Sequence, residues 1–165
     1  PVPSRLPGLR LAFPELFGAT AVTRDSFTPG HGTAWLGGDR LREGLDSAQL
    51  PHEIVFYDFG ERTLEPLSRF NLVHCPCLAV DGMVIAMSMP DPAKARENNE
   101  VQIGRKPGSW GRLLPGWFLV PSENGGLRAH GPAAPDEGLK LPVNCFLDSQ
   151  GFLASGTPPV GVRGE

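Results

Sequence analysis

The chain is short of cysteine, of aromatic residues and of long charge-free stretches, and each shortage excludes a class of protein. Its three cysteines, Cys75, Cys77 and Cys145, cannot all pair within one molecule. A disulfide framework is therefore not expected, and reduced thiols in a reducing compartment are. No run lacking Asp, Glu, Lys and Arg approaches the ~20 residues that span a bilayer, so no membrane partner is expected. Lys and Arg number 15 against 18 Asp and Glu, a net charge of −3. Without a basic block, a surface that neutralises several phosphates at once has no support, and nucleic acid is not an expected partner. Residues 1–10 lack the apolar centre of a secretory signal, which points to cytoplasmic synthesis.

Catalytic signatures are missing as well. The sequence has no C-x-x-C redox pair, no H-E-x-x-H, no G-x-S-x-G elbow and no phosphate-binding loop of the G-x-x-x-x-G-K-[ST] type. No cofactor and no small-molecule substrate is evident from the sequence, and the expectation is a protein that is not an enzyme.

Glycine and proline are abundant instead, with 21 Gly and 18 Pro in 165 residues. That is about twice the usual share of each and favours many turns over long helices. Short apolar runs broken by Gly, Pro, Asn or Asp predict a mainly β fold, an antiparallel β-sandwich or barrel of possible jelly-roll type, with one or two short helices. The expected organisation is an extended arm over residues 1–9, one β domain over 10–155 and a second arm over 156–165. Pro1, Pro3 and Pro7 fix φ and remove donors in the first arm, as Pro158 and Pro159 do in the second.

The clearest local signal is LAVDGMVIAM, residues 78–87, where Asp81-Gly82 provides the two positive-φ positions of a type I′ turn. A second hairpin is expected over residues 143–155, closed by Asp148-Ser149-Gln150-Gly151. Further strands are expected at residues 9–13, 19–23, 54–59, 101–103 and 117–120, rich in branched or aromatic side chains. Helices are expected after Asp91-Pro92, a capping residue before an N1 proline, and over residues 39–50, where Leu41, Leu45 and Ala48 recur near helical spacing.

Two constellations have the residue types of chemical sites. His74, Cys75 and Cys77 carry zinc-binding atoms, but C-x-C on a strand puts two thiols on one face without wrapping an ion, so buried thiols are expected and a metal is not. His31 in a Gly-rich loop, with His52, Glu53, Asp58 and Glu61, is the alternative, a ligand-binding or enzymatic site on a small β-barrel. Carboxylates around strands more often form a solvated face. Trp35, Trp110, Trp117, Phe56, Tyr57, Phe59 and Phe118 read as core, since no basic stripe accompanies them.

The hairpin around Asp81-Gly82 is apolar on both faces, from Cys75 through Met87, and both faces must therefore be covered. Pro76 lacks a ladder donor and favours an edge or a bulge. The covering is expected to come from another subunit, the rival being the chain's own residues 104–142. These features suggest a structural subunit of a larger symmetric assembly, most concretely a viral capsid decoration, cement or tail accessory protein. Its partners would be copies of itself or a major shell protein. The expected contact residues are Pro1, Val2, Pro3, Leu6, Pro7, Val84, Met87, Pro158, Pro159, Val160 and Val162.

Overall fold

The computed structural model describes residues 34–47, 50, 53–90, 104–123, 125–132 and 134–156. Both terminal arms beyond Gly156 and before Ala34 lie outside these residues, as do the strands expected at 9–13, 19–23 and 101–103, the helix expected after Asp91-Pro92, and His31 and His52.

The described residues form a mainly β fold of two sheets. Ten strands run in chain order: β1 (Ala34–Gly37), β2 (Ile54–Asp58), β3 (Leu72–Val80), β4 (Met83–Met87), β5 (Ser109–Leu113), β6 (Phe118–Pro121), β7 (Leu127–His130), β8 (Leu139–Lys140), β9 (Cys145–Leu147) and β10 (Phe152–Ser155). One helix is found among the described residues, α1 (Asp39–Ser47), between β1 and β2. The larger sheet has the order β1-β2-β3-β4-β5-β10-β9, and the smaller is β6-β7-β8.

The larger sheet is not wholly antiparallel, contrary to expectation. β1 pairs with β2, and β2 with β3, in parallel. Parallel neighbours need a crossover of about a dozen residues or more. Here α1 supplies one crossover and the connection between β2 and β3 the other. From β3 onward the pairing is antiparallel through β4, β5, β10 and β9.

Pro76 stands in this central strand, not at an edge. It sits where β3 changes partners: its pairing with β2 ends at Asp58↔Pro76, and the β4 ladder begins at Cys77↔Met87. Its carbonyl accepts the Ser88 amide at 2.9 Å. The donor that proline lacks would fall just beyond the β4 ladder, where its loss is least felt.

The β3–β4 turn has φ of 50° at Asp81 and 78° at Gly82, the left-handed pair that a two-residue hairpin requires. The second hairpin joins β9 to β10. Asp148 Oδ1 accepts the amides of Gln150 and Phe152, and Gly151 takes a φ of 82°.

Both faces of the β3–β4 hairpin are buried by the chain itself. Leu78, Ile85 and Ala86 join Trp110 and Leu153 of the large sheet, Ala129 and Leu139 of the small one and Leu141 in one apolar cluster that binds the two sheets together. Cys77, Val84 and Met87 form a second cluster with Leu114, against which Leu36, Tyr57, Phe59 and Trp117 pack. Val84 and Met87, expected to meet a neighbour, are 0% and 3% exposed. The cover comes from the chain's own residues, Leu114 and Trp117 within 104–142 together with Leu36, Tyr57 and Phe59 outside it, so these two side chains are core and not surface. The third cluster, Leu45, Leu50, Ile54 and Phe56, seats α1 on the parallel strands.

Candidate functional site

A buried polar cluster lies beneath α1. In β2 the buried side chains alternate as Ile54, Phe56 and Asp58, so the strand's period of two carries a carboxylate into a face that is otherwise apolar. On α1, Arg42 stands between Leu41 and Leu45 on the inward side and is buried. His74 of β3 lies beside Phe56, the two rings stacked at 5.9 Å with 23° between their planes.

These three side chains meet at one oxygen. Asp58 Oδ2 accepts Arg42 Nη1 at 3.0 Å and His74 Nε2 at 2.9 Å, and Oδ1 accepts the Gly60 amide at 2.9 Å. Arg42 also donates to the carbonyls of Arg62, Glu65 and Pro66, and Thr63 Oγ1 donates to the Asp58 carbonyl. At the start of α1, Asp39 accepts the amides of Glu61 and Arg62. Burial raises the Asp58 pKa, but the hydrogen bonds from His74 and Gly60 and the neighbouring His74 and Arg42 outweigh it and hold the carboxyl below its ordinary value.

Chemically, the arrangement saturates the carboxylate and ties the helix, two parallel strands and the connection over residues 59–66 to one point. A buried charge is tolerated only when paired and hydrogen-bonded in this way. Ser88 Oγ is buried without a hydrogen-bond partner among the described residues. Ser88 stands opposite Pro76, just after β4, and no hydrogen bond joins its hydroxyl to His74. The residue types of a nucleophile, base and acid are thus neighbours in the sheet but not a connected relay.

Of the residues singled out in the sequence, Asp58 and His74 come together, although they belonged to different constellations. Glu53 and Glu61 are exposed and do not join them. Cys75 and Cys77 are buried and form no disulfide. Burial, with Cys75 close by, pushes the Cys77 thiol well above its ordinary value, which keeps it protonated and unreactive. No group of three His, Cys, Asp or Glu side chains among the described residues is placed to hold a metal ion, and no described helix is long and apolar enough to cross a membrane. Arg42 was missed. Its signal was a cation inside the apolar stripe of a short helix.

A second feature is the outer face of the small sheet. The pairs Phe118↔His130, Val120↔Arg128 and Arg128↔Lys140 place these side chains on the face away from the core. Phe118 is 57% exposed, and its ring stacks on His130 at 5.5 Å with 17° between planes. The imidazole lies over Gly138, where an added Cβ would come within 2.5 Å of His130 Nε2. Arg128 Nη1 is fixed by the carbonyls of Glu137 and Gly138. The remaining exposed apolar groups include Val143 and Leu147, before and within β9.

Comparison with known proteins found no matching family model, no matching curated sequence and no matching solved structure.

Proposed function

We propose that this chain is a non-enzymatic structural subunit that associates with other subunits of a larger symmetric assembly. The observation that carries this reading is that, of the six exposed large apolar side chains among the described residues, four stand at terminal strands of the two sheets, the others being Phe70 before β3 and Met89 after β4. Phe118 and Val120 lie on β6, and Val143 and Leu147 lie at β9. Scattered apolar residues are ordinary on a protein surface, but pairs concentrated at sheet edges mark contact sites or aggregation hazards. The polar cluster of Arg42, Asp58 and His74 fits the same reading, because its hydrogen bonds are directed to the chain's own backbone and side chains.

The two sheets, joined by one apolar cluster, would act as a sandwich-like body, and residues 1–9 and 156–165 as arms reaching neighbouring subunits. A viral capsid decoration, cement or tail accessory protein, made in the cytoplasm and carried in the virion, is the most concrete form of this function. That version rests on general fit of size and β architecture, since fold alone does not fix function. Sedimentation of the full chain over a range of concentrations tests the proposal. Mass should rise with concentration towards a defined oligomer; a single monomeric species throughout would overturn self-association.

A further inference from the structure

We infer that the edge of β9, which no described strand pairs, accepts residues 160–163 of a second copy of this chain as an added strand. This deepens the assembly reading and rests on it. In the β9–β10 ladder, Cys145 faces Ser155, Phe146 faces Ala154 and Leu147 faces Leu153. The hydrogen bonds from Asp148 N to Phe152 O and from Gly156 N to Asn144 O set the bonded pairs at even positions of this strand. The N–H and C=O groups of Cys145 and Leu147 therefore point away from β10, off the end of the sheet.

The edge of β6 differs. There the bond from Ser122 N to Gly126 O puts Leu119 and Pro121 on the outward side. Pro121 has no N–H, so that edge keeps one outward donor within the strand and is blunted against pairing. No proline or charge interrupts Cys145-Phe146-Leu147.

The side chains show that something belongs beside β9. Leu147 lies opposite Leu153, which is fully buried in the cluster joining the sheets, and Cys145 packs against that cluster. Leu147 is nevertheless 46% exposed, and Val143 is 76% exposed. Among the described residues, the core layer thus reaches the last strand and no further strand covers it. A further strand would set alternate side chains next to Leu147 and Cys145 and continue the layer.

The segment TPPVGVRGE, residues 157–165, has the required chemistry. After Pro159 every residue carries an amide donor, and Val160 and Val162 share one face at a period of two. In residues 1–9, prolines at positions 1, 3 and 7 leave no more than three consecutive donors, Ser4 to Leu6. The chain leaves β10 at Gly156, bonded to Asn144 where β9 begins. A tail reaching its own β9 edge would have to cross the residues entering that strand, which favours a second copy as the donor. Strand addition of this kind draws affinity from backbone bonds and specificity from alternate side chains.

The test is amide hydrogen exchange at Cys145 and Leu147 in the full chain, at a low concentration and at one about a hundredfold higher, where mass action favours association. Both amides should exchange at least about tenfold more slowly at the higher concentration only. Gly161→Pro, which deletes a donor in the tail, and Leu147→Lys, which charges the edge, should each abolish that protection. Protection at both concentrations would mean that the chain's own tail covers the edge, and would overturn the inference. Association in the ultracentrifuge without protection would overturn the β9 docking and leave the assembly reading standing. Neither association nor protection would overturn both.

Discussion

The parallel and antiparallel halves of the large sheet are held in different ways. Between α1 and β1–β3, the apolar cluster of Leu45, Leu50, Ile54 and Phe56 shares the interface with buried Arg42, Asp58 and His74. From β4 to β10 the interface with the small sheet is apolar, and exposed apolar groups stand at its margins, at Phe118, Val120, Val143 and Leu147, besides Met89 after β4 and Phe70 before β3. An apolar interface tolerates imperfect partners, whereas a buried charge requires each of its partners in place. The first half is therefore specified by a few hydrogen bonds and the second by packed area.

Breaking the polar half should have the largest effect. Asp58→Ala leaves the Arg42 guanidinium buried without its carboxylate, a loss of about 3–5 kcal/mol. Thermal or denaturant unfolding should show a large drop in stability, and a near-wild-type melt would contradict the account. The same site predicts acid sensitivity. Because the folded pKa of Asp58 lies below its unfolded value of about 3.9, its contribution is complete above that value and is lost as pH falls through the folded one. Melts between neutral pH and strongly acid pH should show this acid limb in the wild type and a smaller one in Asp58→Asn.

In the apolar half, Ile85→Ala removes a fully buried side chain from the cluster joining the sheets and should cost roughly 2–5 kcal/mol, with little change in the acid limb. Gly82→Val forces a branched side chain into a φ of 78° and should destabilise by about 1 kcal/mol or more. The smallest effect belongs to Lys106→Ala. It removes the partly exposed pair with Asp148, which is worth at most about 1 kcal/mol. Equal losses from Lys106→Ala and Asp58→Ala would erase the distinction between the halves.

The antiparallel half was more legible in the sequence than the parallel half, for a physical reason. Hairpins are written locally: Asp81-Gly82 specifies its own φ angles, and Asp148 bonds the amides of Gln150 and Phe152 within its own turn. The parallel pairing of β1, β2 and β3 depends on crossovers that no short motif encodes. Two-sided apolarity correctly required cover for β3 and β4. It favoured another subunit as the cover, whereas Trp110, Leu114, Trp117, the small sheet and Leu36, Tyr57 and Phe59 provide it from within.

The polar cluster was half visible. Asp58 and His74 were recognisable as titratable groups, but their meeting depends on the register Phe56↔His74 and Asp58↔Pro76, which sets strands distant in sequence side by side. Arg42 lay in a helical stripe where its charge passes for a solvated face. Its buried position follows only once α1 is seated over β2.

The central claim is that the exposed apolar margins serve association and not folding. The most direct test compares the full chain with a Phe118→Ser, Leu147→Ser double variant, measuring the melt and the sedimentation mass of each under the same conditions. The account predicts closely similar melts at a concentration where both chains are monomeric, and loss of the higher-mass species in the variant alone. Unchanged mass distributions, or a variant that unfolds as readily as Ile85→Ala, would contradict it.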